Sequence, residues 1–375
     1  FGQIERHKNK IINQTLESFD TLFGLGKDDA TNFFKDVQIS NEENSKDYKE
    51  MLLNTSFTSN LKIGNTSIII SKEKTSNEFK LTLEDTTISK ENIETLHFFL
   101  ISRYLSFFAT YPITSSSIFP VERNSIYTFS KELSLSRNDA IDHLHAVSNN
   151  KKLNTFDFLF RRTTRYPLPI RDGLIIAEDL ANIKKTKSDY YHFAEQMEDE
   201  LLHGKVIINN DGEIQFKSEK APKRSLPIHL TASIIKTLSS LVVYLKHIAQ
   251  KNDLIIIDEP EINLHPDNQI ILTRIFSRLI KNGFRLLIST HSDYIIREIN
   301  NLIMFSVDKK EINSLAEKLE YRDDEKIYLE DIGVYYFDYP IKKSANKQVI
   351  IKEIETSQSG FDIPSVDHTI DLQNQ

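Results

Sequence analysis

Two carboxylates stand together at the end of an apolar run, Leu254-Ile255-Ile256-Ile257-Asp258-Glu259-Pro260-Glu261. Four apolar residues suit a buried strand of a parallel sheet, and the acids then fall at its C-terminal end, where open α/β sheets bind ligands. The pair makes chemical sense if the two acids differ in role. Asp258 can hold Mg²⁺, usually through water, because this hard cation prefers oxygen. Glu259 can polarise a water for attack on a phosphoryl group. The plain alternative is a strand that ends in solvated acids before a proline turn.

One β-α-β unit later a second apolar run, Leu286-Leu287-Ile288-Ser289-Thr290-His291-Ser292, closes on an imidazole. His291 at that edge can hydrogen-bond a terminal phosphate. A lone histidine at a strand end is ordinarily a cap, but two successive strand ends carrying Asp-Glu and His favour one shared site. Upstream, Leu230-Thr231-Ala232-Ser233-Ile234-Ile235-Lys236 opens a helix with two hydroxyls, Thr231 and Ser233. A helix N-terminus offers free N–H groups and positive partial charge to an anion. An ordinary N-cap role for Thr231 is the competing reading.

The elements that must position these groups are legible in the periodicity. A helix from Thr231 to about Gln250 leads into the strand Leu254–Ile257, a helix spans about Pro266 to Lys281, and a strand spans Arg285–Ser289. A third helix starts near Ser292, and Leu302–Phe305 reads as a third apolar strand. Apolar strands alternating with helices predict a parallel sheet covered on both faces. Farther upstream, alternation from Phe57 to Leu83 around Gly64-Asn65 predicts a small antiparallel sheet. Helices are expected over residues 4–22 and 89–109, with a polar surface loop over 28–55. Ser117 to Arg123 reads as a strand running into a loop. Residues 130–203 read as charged and mostly helical, interrupted by Pro167 and Pro169, and Asp211-Gly212 marks a hairpin.

Composition narrows the classes. The chain has 375 residues, 39% apolar and 27% charged, which is ordinary for a soluble globular protein. The absence of cysteine removes a disulfide framework, a thiolate metal site and a cysteine nucleophile, and fits a reducing cytoplasm. A net charge of −7 opposes a basic coat for nucleic acid. The exposed-type stretch Lys220, Lys223, Arg224 lacks an aromatic platform, so a solvated loop is the better reading than a nucleic-acid contact. His143 and His145 fall on different faces of an expected helix, which opposes a metal site. Asp323-Asp324-Glu325 reads as a solvated acidic loop. The apolar run Leu96–Ile113 is interrupted by His97, Arg103 and Pro112, so no membrane span is expected.

Together these motifs resemble the ABC-type ATPases of the SMC-like and overcoming-lysogenization-defect group. Asp258-Glu259 is similar to the Walker B motif of that group with its catalytic glutamate. Glu261-Ile262-Asn263-Leu264-His265-Pro266 resembles its Glu-x-x-Leu-His-Pro D-loop region, which carries Asn263 and His265 to the nucleotide. His291 resembles the switch histidine, and Leu230–Lys236 resembles a degenerate signature motif. Gly360-Phe361-Asp362 to Asp371-Leu372 resembles the family's tail. Pro120-Val121-Glu122-Arg123 resembles a stretch found in some relatives, with no role assigned.

The resemblance implies an α/β fold: an ABC-type P-loop NTPase with a parallel core sheet, an antiparallel β subdomain and a helical insertion. The expected divisions are 1–129 for the N-terminal part, 130–225 for the insertion and 226–375 for the C-terminal ATPase lobe. It implies ATP and Mg²⁺ as ligands, and a homodimer or higher homo-oligomer closing head to tail around two ATP molecules. It also implies control of an effector nuclease or toxin in antiviral or mobile-DNA defence, with the insertion as the partner-binding region. A non-hydrolysing scaffold and a DNA-repair or chromosome ATPase are the alternatives. The latter would bring a long coiled coil, and no sustained heptad run is present. The family's phosphate loop, Gly-x-x-x-x-Gly-Lys-Ser/Thr, has no match. Gly24-Leu25-Gly26-Lys27 lacks the spacing and the hydroxyl. In that family the loop lies near the N-terminus, so the resemblance implies that it stands upstream of residue 1, and a first residue of Phe rather than Met agrees with that expectation.

Overall fold

The structure is a computed structural model that describes residues 53–54, 56–63, 66–76, 79–84, 113–129, 166–338 and 350–363. The chain forms two compact units, residues 1–112 with 161–167, and residues 113–160 with 168–375. The expectations for residues 4–22, 89–109, His143, His145 and Gly24–Lys27 lie outside the described residues, as does nearly all of 28–55.

In the first unit, β1 (Phe57–Ile63), β2 (Thr66–Lys72) and β3 (Phe79–Glu84) form an antiparallel sheet in the order β1-β2-β3. Ile63 pairs with Thr66, so two residues join the strands, as the Gly64-Asn65 signal predicts.

The second unit begins with β4 (Ser116–Phe119) and a helical stretch at 123–129. It continues through α1 (Leu168–Glu178), α2 (Leu180–Ile183), α3 (Tyr191–Leu201), β5 (Gly204–Ile208), β6 (Ile214–Ser218), β7 (Leu226–Pro227) and α4 (Ser233–His247). Then come β8 (Leu254–Asp258), α5 (Pro266–Lys281), β9 (Arg285–Ser289), α6 (Asp293–Phe305), α7 (Lys310–Lys318) and the antiparallel pair β10 (Val334–Asp338) and β11 (Ile350–Ile354).

The core sheet is parallel, in the order β4-β8-β9. Its inner face carries Phe119, Ile255, Ile257, Leu286 and Ile288 into one apolar core with Leu238, Val242 and Leu245 of α4 and Leu272, Ile275 and Leu279 of α5. The opposite face is more open than the expected two-sided cover, because Ile118 is exposed and Leu287 is 56% exposed. The start of β8 is fixed by the buried Asp253, which accepts from Ser115 Oγ at 2.8 Å and Tyr244 O–H at 2.7 Å. Those bonds tie β4, α4 and β8 into one frame.

Several local expectations change. Pro169 sits in the first turn of α1 and starts that helix rather than breaking one, because a first-turn residue needs no intrahelical N–H partner. Helix α4 begins at Ser233, not Thr231, and Ala232 is its N-cap. The Thr231 hydroxyl instead donates back to the Ile228 carbonyl at 2.6 Å. Leu302–Phe305 is not a strand but the last turn of α6. Its burial runs buried, buried, exposed, buried, and Ile295, Leu302 and Ile303 form one stripe at helical spacing. Four apolar residues alone do not distinguish the two periods. Among Asp323-Asp324-Glu325, Glu325 is buried and caps its own short 3₁₀ turn through the Arg322 N–H at 3.0 Å, with Arg278 Nε 3.8 Å away. No helix among the described residues is long and apolar enough to cross a membrane.

A buried ion pair joins α3 to α4. Glu198 Oε1 accepts from Lys246 Nζ at 2.7 Å and from the Val206 N–H at 2.6 Å. Burial pushes the Glu198 carboxyl up against the pull of Lys246. Removing one partner of such a pair strands the other charge, which costs about 3–5 kcal/mol. Lys246→Met is therefore expected to lower the unfolding free energy by about that amount in urea titration, and Glu198→Leu added to it should recover only part of the loss, because the buried Val206 N–H then lacks its acceptor. Equal stability of Lys246→Met and the parent would contradict this.

Candidate functional site

Parallel pairing sets Asp258 of β8 opposite Ser289 of β9. The Ser289 hydroxyl donates to Asp258 Oδ1, which fixes one carboxylate oxygen and leaves the residue exposed at the sheet edge. One more rung follows, the Glu259 N–H donating to the Ser289 carbonyl at 3.0 Å. The chain then turns sharply. Glu259 has φ +44°, a left-handed conformation that costs a residue with a Cβ about 1–2 kcal/mol. The turn delivers the Glu259 carboxylate to the same edge as the imidazole, with Oε1 4.0 Å from His291 Nε2. His291 is 89% exposed and Glu259 38% exposed, so both face open space at the C-terminal ends of their strands.

The unusual turn is held from below by a residue to which the sequence assigned no role. Arg123 is 3% exposed. Its guanidinium donates to the carbonyls of Pro120 at 3.0 Å, Asp258 at 2.6 Å and Glu259 at 2.7 Å. Burial lowers its pKa to about 10, while Asp258, Glu261 and Glu259 pull the other way, so it stays a cation at neutral pH. The planar fork of arginine suits two carbonyls on one turn. Pro120-Val121-Glu122-Arg123 was visible in sequence, but its purpose depends on β4 lying beside β8.

The remaining candidates fall on two further elements. Thr231 and Ser233 stand at the start of α4, where no side chain caps the helix. Asn263 is exposed in the loop after the acids, with φ +61°. His265 is the N-cap of α5, its Nδ1 accepting the Asp267 N–H at 3.4 Å. Asp258, Glu259 and His291 are thus brought together, whereas the bonds of Thr231 and His265 are local. Lys220, Lys223 and Arg224 are exposed. Among the described residues no three acidic or imidazole groups close on a point as a self-sufficient metal cage would. The exposed, anchored Asp258 carboxylate fits an Mg²⁺ site of the other kind, since that ion commonly takes one or two carboxylates and keeps its waters.

A parallel strand ending in an acid pair thus lies beside one ending in an imidazole. The chain belongs to the AAA ATPase domain family, whose sequence pattern matches residues 4–296. No curated protein matches it. Among solved structures it is similar to the Smc head domain with an extended coiled coil bound to the C-terminal domain of ScpA, from Pyrococcus furiosus. That likeness has 12% identity and a TM-score of 0.28, over 82% of this chain and 74% of that one.

Arg123→Ala removes three hydrogen bonds to main-chain carbonyls and should cost about 3 kcal/mol of stability. Arg123→Lys keeps the cation but can reach fewer carbonyls, so its loss should be smaller. Chemical denaturation of both variants checks this, and an undisturbed Arg123→Ala midpoint would refute it.

Proposed function

We propose that this chain binds and hydrolyses ATP at the edge formed by β8 and β9. The observation that carries the reading is the approach of Glu259 to His291, 4.0 Å apart at adjacent strand ends. Mg²⁺, when bound, would neutralise charge on the β- and γ-phosphates. Asp258 would hold it, through water, with its free carboxylate oxygen. Glu259 would accept the proton of a water whose oxygen attacks the γ-phosphorus in line. The new P–O bond forms as the bond to the bridging oxygen breaks, giving ADP and phosphate. His291 would hydrogen-bond a γ-phosphate oxygen.

Thr231 and Ser233 would meet the same phosphate from a second copy of the chain, using the uncapped N–H groups of α4. Asn263 and His265, in the loop after the acids, would border the nucleotide from that interface. The ATP-bound dimer would then differ from its open form by contacts that the γ-phosphate supplies. The resemblance to stand-alone ATPases extends the proposal to control of an effector protein, a nuclease or toxin, in antiviral or mobile-DNA defence. Residues 130–225 are the proposed partner-binding region.

Glu259→Gln in the full-length protein should retain ATP binding while phosphate release falls by about 10²–10⁴-fold. His291→Ala should also slow release. Parent-level turnover in the Glu259→Gln variant would remove that residue from catalysis. A folded parent that binds ATP and never releases phosphate would support a scaffold instead.

A further inference from the structure

We propose that Glu261 is a positioning residue that sets the reach of His291 toward Glu259. This rests on the ATP-hydrolysis reading of the same site. Glu261 lies two residues beyond the proposed base, in the loop that leaves β8. Its Oε1 accepts the backbone N–H of His291 at 2.7 Å, across 30 positions of sequence. A hydrogen bond to an ionised carboxylate is shorter and stronger than a neutral one. The second oxygen, Oε2, is buried and makes no hydrogen bond. The carboxylate therefore has one hydrogen-bond partner, the main chain of the residue facing the base, beside its charge attraction to the buried Arg123.

A second tie runs parallel to the first. Gln269, in the first turns of α5, donates from Nε2 to the Leu264 carbonyl at 3.0 Å. Its Oε1 accepts from the Ser292 hydroxyl at 2.5 Å. Ser292 in turn caps α6 by accepting the Ile295 N–H at 3.3 Å. The main chain of His291 is thus fixed by the bond at its own N–H and by the anchoring of the next residue, while its imidazole projects into open space. Both ties start in the loop 259–265, the same loop that carries Asn263 and His265. A displacement of that loop would carry the main chain of His291 with it, and with it the distance between imidazole and base. An ordinary brace would merely stabilise the fold. A positioning residue must lose its effect once the imidazole is gone.

That difference defines the experiment, made on the full-length protein with ATP, Mg²⁺ and a phosphate-release assay. The set comprises the parent, Glu261→Ala, Glu261→Gln, His291→Ala and the double variant Glu261→Ala/His291→Ala. Glu261→Ala is expected to lower kcat by about tenfold or more with KM within about twofold. In the His291→Ala background the same change should add less than about twofold, because coupled residues are non-additive. Glu261→Gln, whose amide oxygen still accepts, should restore most of the rate. Hydrogen exchange at the His291 amide should accelerate in Glu261→Ala and not in Glu261→Gln. Additive losses, or an unchanged kcat in Glu261→Ala beside a slowed His291→Ala, would overturn the proposal. Unaltered exchange at the His291 amide would also overturn it. If the parent itself releases no phosphate, the ATP-hydrolysis reading falls, and the amide exchange still reports whether Glu261 holds His291.

Discussion

Register between β8 and β9 governs the candidate site. With Asp258 opposite Ser289, the last ladder bond falls between the Glu259 N–H and the Ser289 carbonyl, and the two loops leave the sheet side by side. A slip of one residue would turn Ile255 and Ile257 from core to the open face and separate the acids from the imidazole. Burial therefore sets where the acids emerge. The same isoleucines that fill the core on α4 and α5 fix the height at which Asp258 and Glu259 emerge.

The frame below the edge is polar as well as apolar. Asp253 ties the start of β8 to Ser115 before β4 and to Tyr244 on α4. At the other end of the strands Arg123 ties the β4 exit to the carbonyls of the acid turn. The strand is thus pinned at both ends by buried ionisable groups, each with several hydrogen-bond partners, as buried charge requires. Between these pins the contacts are dispersive and depend on packing density.

The sequence was most readable where one local signal dominated. The isoleucine run of β8, the Pro266 start of α5 and the Asp211-Gly212 hairpin each depend on residues near in sequence. The acid pair and His291 were visible because strand ends of parallel sheets share an edge. Long-range chemistry was not readable. Arg123 acts on a turn 135 positions away, and Glu261 on an amide 30 positions away. The final turn of α6 misled because a short apolar run has no period of its own, and its burial against Ile327 and Phe361 decides it. Glu325 departs from the solvated loop its composition suggests, because its acidic neighbours are exposed while it packs beside Arg278.

Left-handed backbone recurs twice in the six residues after β8 begins its exit, at Glu259 and at Asn263. Asparagine adopts that conformation readily, and glycine would do so at no steric cost, so position 263 can drift among small turn-forming residues while keeping the loop's course. Glycine at 259 would relax the backbone equally well but would delete the carboxylate. At residue 259 the backbone's preference for glycine and the chemistry proposed for the carboxylate therefore pull in opposite directions.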